Sequence, residues 1–242
     1  MQQMLSDAQD ENQAVKVKIV GFGSLAEAAV EQILRDTIPN AETNSETSHT
    51  DHAGLVIVAV ETSDENGVNA ACDFIRTAKA ENALVFSVVF QGSEAAGCIK
   101  CGADAVFVAS SEEAFAEALN ALYRHMALFL ENECVVSVNF SDLKAMFTDA
   151  GEAYLTVGFG KGPRGASLAA RDAMTHATAG SFSPSLSSVF VGIAGNESIE
   201  ILDFQRAIDV ICEAVDEDAG IVWCFAADPE TADAVRVIVV VA

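Results

Sequence analysis

Residues 15–36, VKVKIVGFGSLAEAAVEQILRD, decide the class of fold. VKVKIV alternates at period two, as a strand with two distinct faces does, whereas Leu25, Ala29 and Ile33 recur at helical spacing in SLAEAAVEQILRD. Between them, Gly21-Phe22-Gly23 supplies the small residues of a tight turn. Strand, glycine turn and helix in that order predict the opening of an α/β unit.

The chain around this unit extends the pattern. GLVIVAVE (54–61), ALVFSVVF (83–90) and GADAVFVA (102–109) are continuous apolar runs of strand length, with a helix predicted near Asn66 to Glu81. Strands without polar alternation, separated by helical stretches, point to a parallel sheet covered on both faces. Thr37 to His52 has no apolar period and reads as a long loop. Ser110 with Glu113 forms a capping-box pattern, and Phe115, Leu119, Leu122, Met126 and Phe129 predict a long connecting helix to about Glu131. Beyond it come a short apolar run, a helix that Asn139 or Ser141 caps and that ends at Gly151, the strand EAYLTVGFG and the helix ASLAARDAMTHAT. SVFVGIAG, a helix with Ile201, Phe204, Ile208, Ile211 and Val215 on one face, and the runs AGIVWCFAA and AVRVIVVVA complete a second, smaller α/β unit. The expected division is a disordered tail at 1–14, a first domain at 15–110, a central helix at 111–133 and a second domain at 134–242.

Composition narrows the function. With 51% hydrophobic and 20% charged residues over 242 positions, the chain is globular and able to bury a core. Its net charge of −23 repels phosphate backbones and anionic lipid surfaces, so neither nucleic acid nor a membrane surface is an expected partner. No apolar run approaches the roughly 18 residues of a bilayer span. The start, MQQMLSDAQDENQ, lacks the basic and apolar regions of a secretion signal, so a cytoplasmic location is expected. Cys72, Cys134, Cys212 and Cys224 sit inside apolar runs and read as reduced core thiols.

Three stretches are candidates for chemistry. Gly21 to Ala26, GFGSLA, fits a loose GxGxxA phosphate loop, but it also fits a plain strand-to-helix turn, and Glu27 would face any phosphate there. Cys98-Ile99-Lys100-Cys101 has redox-pair spacing yet precedes a strand rather than opening a helix. No second CxxC or HxxxH accompanies it to complete a zinc set, and His49 and His52 lie in the polar loop. Gly158 to Gly165, GFGKGPRG, fails the Walker spacing and reads as a solvated glycine-rich turn, although Lys161, Arg164 and Arg171 make it one of the few basic clusters. His125 and His176 have no nucleophile pattern around a serine, so no catalytic residue is expected, and no DxDxDG-type loop points to a metal.

The order of elements resembles the FtsZ branch of the tubulin superfamily. VVSVNFSDLKAMFTDAGEAYLTVGFGKGPRGASLAARDAM (135–174) is similar to that family's passage from the central helix through the synergy loop into the next helix. The stretch from SVFVGIAG to Ala242, with the acidic turn at Asp228 and Pro229, resembles its closing strand-helix-strand-strand. The resemblance implies a reduced FtsZ-type nucleotide domain, a central helix and a second domain with a mixed sheet. It also locates departures. The family's glycine-rich first loop, like GVGGGGGNAV, is reduced here to Gly21 and Gly23, and its GGGTGTG phosphate loop is replaced by ETSDENGVNA (61–70). Glu61, Asp64 and Glu65 would repel a triphosphate held close by several kcal/mol. Of the two synergy-loop carboxylates, the corresponding positions are Asn139 and Asp142, and an Asn cannot act as a base. Phe115 matches the aromatic that stacks on guanine, but Leu119 stands where the family reads the base.

These resemblances imply a pseudo-GTPase of cytoskeletal or cell-division type, with vestigial nucleotide positions Gly21, Gly23 and Phe115 and with no GTP, GDP or other cofactor expected. Its implied contact surface is Asn139, Phe140, Asp142 and Lys144, toward itself or an FtsZ-type protein. The alternative is a protein that binds a dinucleotide or small ligand at the GFGSLA turn.

Overall fold

The computed structural model of the chain describes residues 15–37, 49–90, 97, 101–132, 134–178, 188–196, 200–228 and 234–242. The first sheet consists of β1 (Val17–Phe22), β2 (Leu55–Glu61), β3 (Leu84–Phe90), β4 (Ala105–Ala109) and β5 (Gly151–Glu152), paired in that spatial order and all parallel. Nearly every side chain of β1 to β3 is buried, which is why these runs show no polar alternation.

The helices α1 (Ser24–Thr37), α2 (Glu65–Ala80) and α3 (Glu112–Glu131) cover this sheet. Leu55, Ile57 and Ala59 on one face of β2 pack in a cluster with Ala26, Val30 and Ile33 of α1 and with Leu119 and Leu122 of α3. Val56, Val58 and Val60 on the other face pack with Ala71, Phe74, Ile75 and Ala78 of α2. Because β1, β2 and β3 follow one another in a single direction, crossovers through helices on opposite faces have opposite hands. Right-handed crossovers are nearly universal, about 98%. Helices on opposite faces normally belong to the two wings of a doubly wound sheet, which reverse direction at a switch point. Here the described strands follow a single order without a reversal, and residues 38–48 of the first crossover lie outside the described set. Because α1 and α2 leave β1 and β2 toward opposite faces, the carboxyl ends of these two strands correspond to the switch point of a doubly wound sheet, the usual ligand position there.

The second sheet holds β6 (Tyr154–Lys161), β7 (Ser188–Gly195), β8 (Gly220–Ala227) and β9 (Ala234–Val241) in the order β6-β9-β7-β8. β7 and β8 are parallel and β9 runs antiparallel to both its neighbours, so the sheet is mixed. Helices α5 (Gly165–Thr178) and α6 (Ile201–Cys212) pack together on its outer face. The central helix α3 lies between the sheets, with Phe115 toward Phe90 on one side and Phe129 toward Phe190 on the other. One apolar cluster runs through α3 from Ile57 to Val240, joining the two halves.

Several local expectations need correction. The cap of α3 is Ser111, whose hydroxyl accepts from the Ala114 N–H at 3.1 Å, not Ser110. Asn139 caps α4 (Phe140–Phe147), which stops four residues before Gly151 because Thr148 and Asp149 turn the chain into β5. Phe147 is buried with its ring 5.3 Å from Phe86, so α4 and β5 pack with the first sheet although they follow α3. Gly158 to Gly160, which fall both in the expected strand EAYLTVGFG and in the expected glycine-rich turn, are strand, as is Lys161: a Cβ on Gly158 would lie 2.0 Å from the Ala169 carbonyl oxygen, and one on Gly160 2.0 Å from that of Gly165. These glycines let β6 meet α5 backbone to backbone. Finally, Cys72 of α2 is bonded to Cys101, with Cα atoms 5.3 Å apart, so Cys72 is not a reduced thiol.

Candidate functional site

At the switch point, α1 starts immediately beyond β1. A Cβ on Gly21 would fall 2.6 Å from the Ala26 carbonyl, so glycine there lets the first turn of α1 close over the strand end. Gly23 has φ +96, which a side-chain-bearing residue adopts only with strain. Both glycines are thus accounted for by the turn itself.

The opposite wall is Glu61, the last residue of β2. Its Oε2 accepts the Leu25 N–H at 2.9 Å in the first turn of α1, and its Oε1 accepts the Ser63 hydroxyl at 2.7 Å. A helix N-terminus carries unpaired N–H groups and a positive dipole end, which together favour an anion. In this protein the anion is supplied from within the chain. Asp64 does the same for α2, accepting the Asn66 N–H at 3.1 Å. The space between is small: a Cβ on Gly23 would lie 2.8 Å from the Glu61 Cβ, and one on Gly67 3.1 Å from the Gly23 nitrogen. Residues 21–26 and 61–70 contain no Lys, Arg or His to offset the three carboxylates of Glu61, Asp64 and Glu65. Phe115 is only 1% exposed and packs 5.7 Å from Phe90, so its ring belongs to the core, as does the fully buried side chain of Leu119.

The residues before and within α4 form a separate surface. Asn139 Oδ1 accepts both the N–H and the hydroxyl of Ser141, at 2.8 and 2.7 Å, so its carbonyl is used as a helix cap. Phe140 is half-buried against Gly54, where an added Cβ would come within 3.3 Å of its ring. Asp142 is exposed in the first turn, and Lys144 donates to Asn82 Oδ1 at 2.7 Å and to the Asn82 carbonyl. Asn139 and Asp142 face solvent, while Phe140 and Lys144 anchor α4 beside the amino-terminal ends of β2 and β3.

Other polar groups were not legible as sites. Asp203 of α6 is buried and accepts the Ala166 N–H at 2.8 Å and the Ser167 hydroxyl at 2.9 Å, capping α5 from outside its own helix. His125 on α3 is buried, and burial foremost pushes its pKa down to about 4. Arg236 and Arg124 push the same way, while Asp228 and the Ala121 carbonyl pull upward. Its Nδ1 donates to that carbonyl at 2.6 Å, and Nε2 has no partner among the described residues. The imidazole is neutral near pH 7. Cys101 is taken by the bond to Cys72, and Cys98 and the side chain of His176 lie outside the described residues. Among the described residues no group of three or more His, Cys, Asp or Glu could hold a metal ion, and no helix is long and apolar enough to cross a membrane.

Comparisons with known proteins agree with this architecture. Residues 151–242 match the family described as "FtsZ family, C-terminal domain". The cell division protein FtsZ of Caulobacter vibrioides is 28% identical over 107 residues, which is 44% of this chain and 21% of that protein. The match thus spans about a fifth of the length of the curated relative. An empty FtsZ dimer of M. jannaschii superposes with a TM-score of 0.75 at 14% identity, covering 99% of this chain and 91% of that one. CetZ1 from Haloferax volcanii, a GDP-bound monomer, superposes at 0.61 and 10% identity, covering 94% of each chain. Residues 151–242 are thus similar to the FtsZ C-terminal domain, and the chain shares the fold of the FtsZ structures across both sheets.

Proposed function

We propose that this FtsZ-like chain works by assembly, with itself or with an FtsZ-type protein, in a cytoskeletal or cell-division setting, and that it neither holds nor hydrolyses a guanine nucleotide. The observation that carries the reading is the Glu61 carboxylate on the Leu25 N–H at 2.9 Å. A phosphate seeking the N-terminus of α1 would have to displace a tethered carboxylate and sit beside it. At about 4 Å and an effective dielectric near 20, each such pair of charges costs about 4 kcal/mol. The same carboxylate opposes the pyrophosphate of a dinucleotide, so the GFGSLA turn is read as a packing turn.

Asn139 supports the second half of the reading. Where the resembled family carries a carboxylate that acts on a neighbour's nucleotide, this chain has an amide occupied in capping α4. Contact through Asn139 and Asp142 then lacks a hydrolytic step, and any polymer is static. Sedimentation of the pure protein, alone and with an FtsZ, tests this. Pelleting or co-pelleting that is indifferent to GTP and lost in Asp142→Lys is expected; phosphate release above background, or assembly that requires GTP, overturns it.

A further inference from the structure

The second domain carries a surface that contact through Asn139 and Asp142 does not use. Phe159 and Leu168, 60% and 47% exposed, wall a groove of about 630 Å³ between β6 and α5, with Lys161 and Arg171 exposed at its sides. Phe159 cannot turn inward. Gly158 and Gly160 on either side of it face α5, so strand alternation aims Phe159 outward, and its N–H is held by Asp172 Oδ2 at 3.0 Å. Neither Lys161 nor Arg171 pairs with a carboxylate among the described residues. Two unpaired cations beside an apolar groove stand out on a chain of net charge −23.

A complementary feature lies at the same corner. Ile201 and Leu202, 83% and 54% exposed, project from the start of α6, preceded by the exposed Glu200, whose side chain makes no capping bond. The buried carboxylate of Asp203 ties this projection to the start of α5 through Ala166 and Ser167, one residue from Leu168. An acidic, apolar projection and an apolar groove, lined by Lys161 and Arg171 against the single carboxylate of Asp172, therefore stand next to each other on one domain.

We propose that a second copy of this chain docks here in a two-fold contact, the Glu200-Ile201-Leu202 projection of each copy entering the Phe159/Leu168 groove of the other. Charge complementarity selects this occupant. Two chains of −23 repel over most of their surfaces, and an approach that sets Glu200 against Lys161 and Arg171 is attractive. Exposed apolar groups beside a polar rim are the usual anatomy of such contacts. Because projection and groove share one corner, a single two-fold axis satisfies both at once, and the contact closes at a dimer instead of propagating. The surface is distinct from Asn139 and Asp142, so the two can fail independently.

Sedimentation velocity from micromolar to hundred-micromolar concentration tests the proposal. Wild type and Asp142→Lys are expected to dimerise alike. Phe159→Glu, Ile201→Glu and the pair Lys161→Glu with Arg171→Glu are each expected to weaken the dimer about tenfold or more, with far-UV circular dichroism unchanged. Adding Glu200→Lys to the charge-reversed pair is expected to restore it, a rescue that a purely structural role would not produce. A wild type that stays monomeric overturns the proposal, even if an acidic leucine-containing peptide binds the groove. A dimer indifferent to these changes, or charge reversal without rescue, overturns it as well.

Discussion

The Glu61 carboxylate lies 2.9 Å from the Leu25 N–H, so the end of β2 closes the helix that starts beyond β1. This bond ties the two strands of the switch point together and fills the position where an anion would otherwise be stabilised. Glu61→Ala should remove the cap and cost about 1 kcal/mol, as other N-terminal capping losses do. Glu61→Gln keeps an acceptor oxygen and should cost less. Urea unfolding of the three proteins at neutral pH measures both; an Ala variant as stable as wild type would mean that the bond contributes nothing.

A different cause governs the glycines of β6. Gly158→Ala would set a methyl 2.0 Å from the Ala169 carbonyl oxygen, a contact with backbone that no rotamer relieves. Separation of α5 from the sheet should cost more than about 3 kcal/mol. Gly162 has φ +76 but open space around it, so Gly162→Ala carries only backbone strain, about 1 kcal/mol. Thermal unfolding of the two variants separates close packing from backbone conformation.

His125 makes stability depend on pH. Its pKa, about 4 when folded, lies below the ordinary 6.5, so the unfolded chain takes up its proton first as pH falls. The associated stability is fully present above about pH 6.5 and is lost between there and pH 4, on the order of 3 kcal/mol. In His125→Phe this share of the pH dependence should vanish. Comparing urea midpoints of variant and wild type across that window isolates it from the carboxylates; parallel curves would contradict the assignment.

The bond between Cys72 and Cys101 sets a thiol count. Of the six cysteines, denatured protein kept free of reductant should expose four reactive thiols, and reduced protein six. A thiol-reactive dye in guanidinium reads this directly, and six thiols in both samples would exclude the bond.

Much of the fold was legible because burial writes itself into sequence. β2 and β3 are covered on both faces, so they appear as unbroken apolar runs, and α3 buries one stripe, so its period is 3.6. What escaped depends on facts outside the local window. Gly158 and Gly160 fit both a strand end and a turn because glycine reports close approach and chain reversal in the same letter, and only the position of α5 distinguishes them. Cys72 and Cys101 are 29 residues apart, whereas Cys98 stands at redox-pair spacing from Cys101 and so suggests the wrong pair. The acidity of Glu61 and Asp64 was visible, but the helix ends that they close required the relation between β1 and β2. The Phe159 groove was hidden because alternation shows that a strand has two faces without saying that the one carrying Phe159 stays uncovered at this end of β6.

Calorimetric titration of the full chain with GTP and magnesium tests the central claim most directly, since it asks whether a phosphate can displace Glu61. No saturable heat up to millimolar nucleotide is the predicted result. Stoichiometric binding with a micromolar Kd would contradict the account and return the switch point to the role of a nucleotide site.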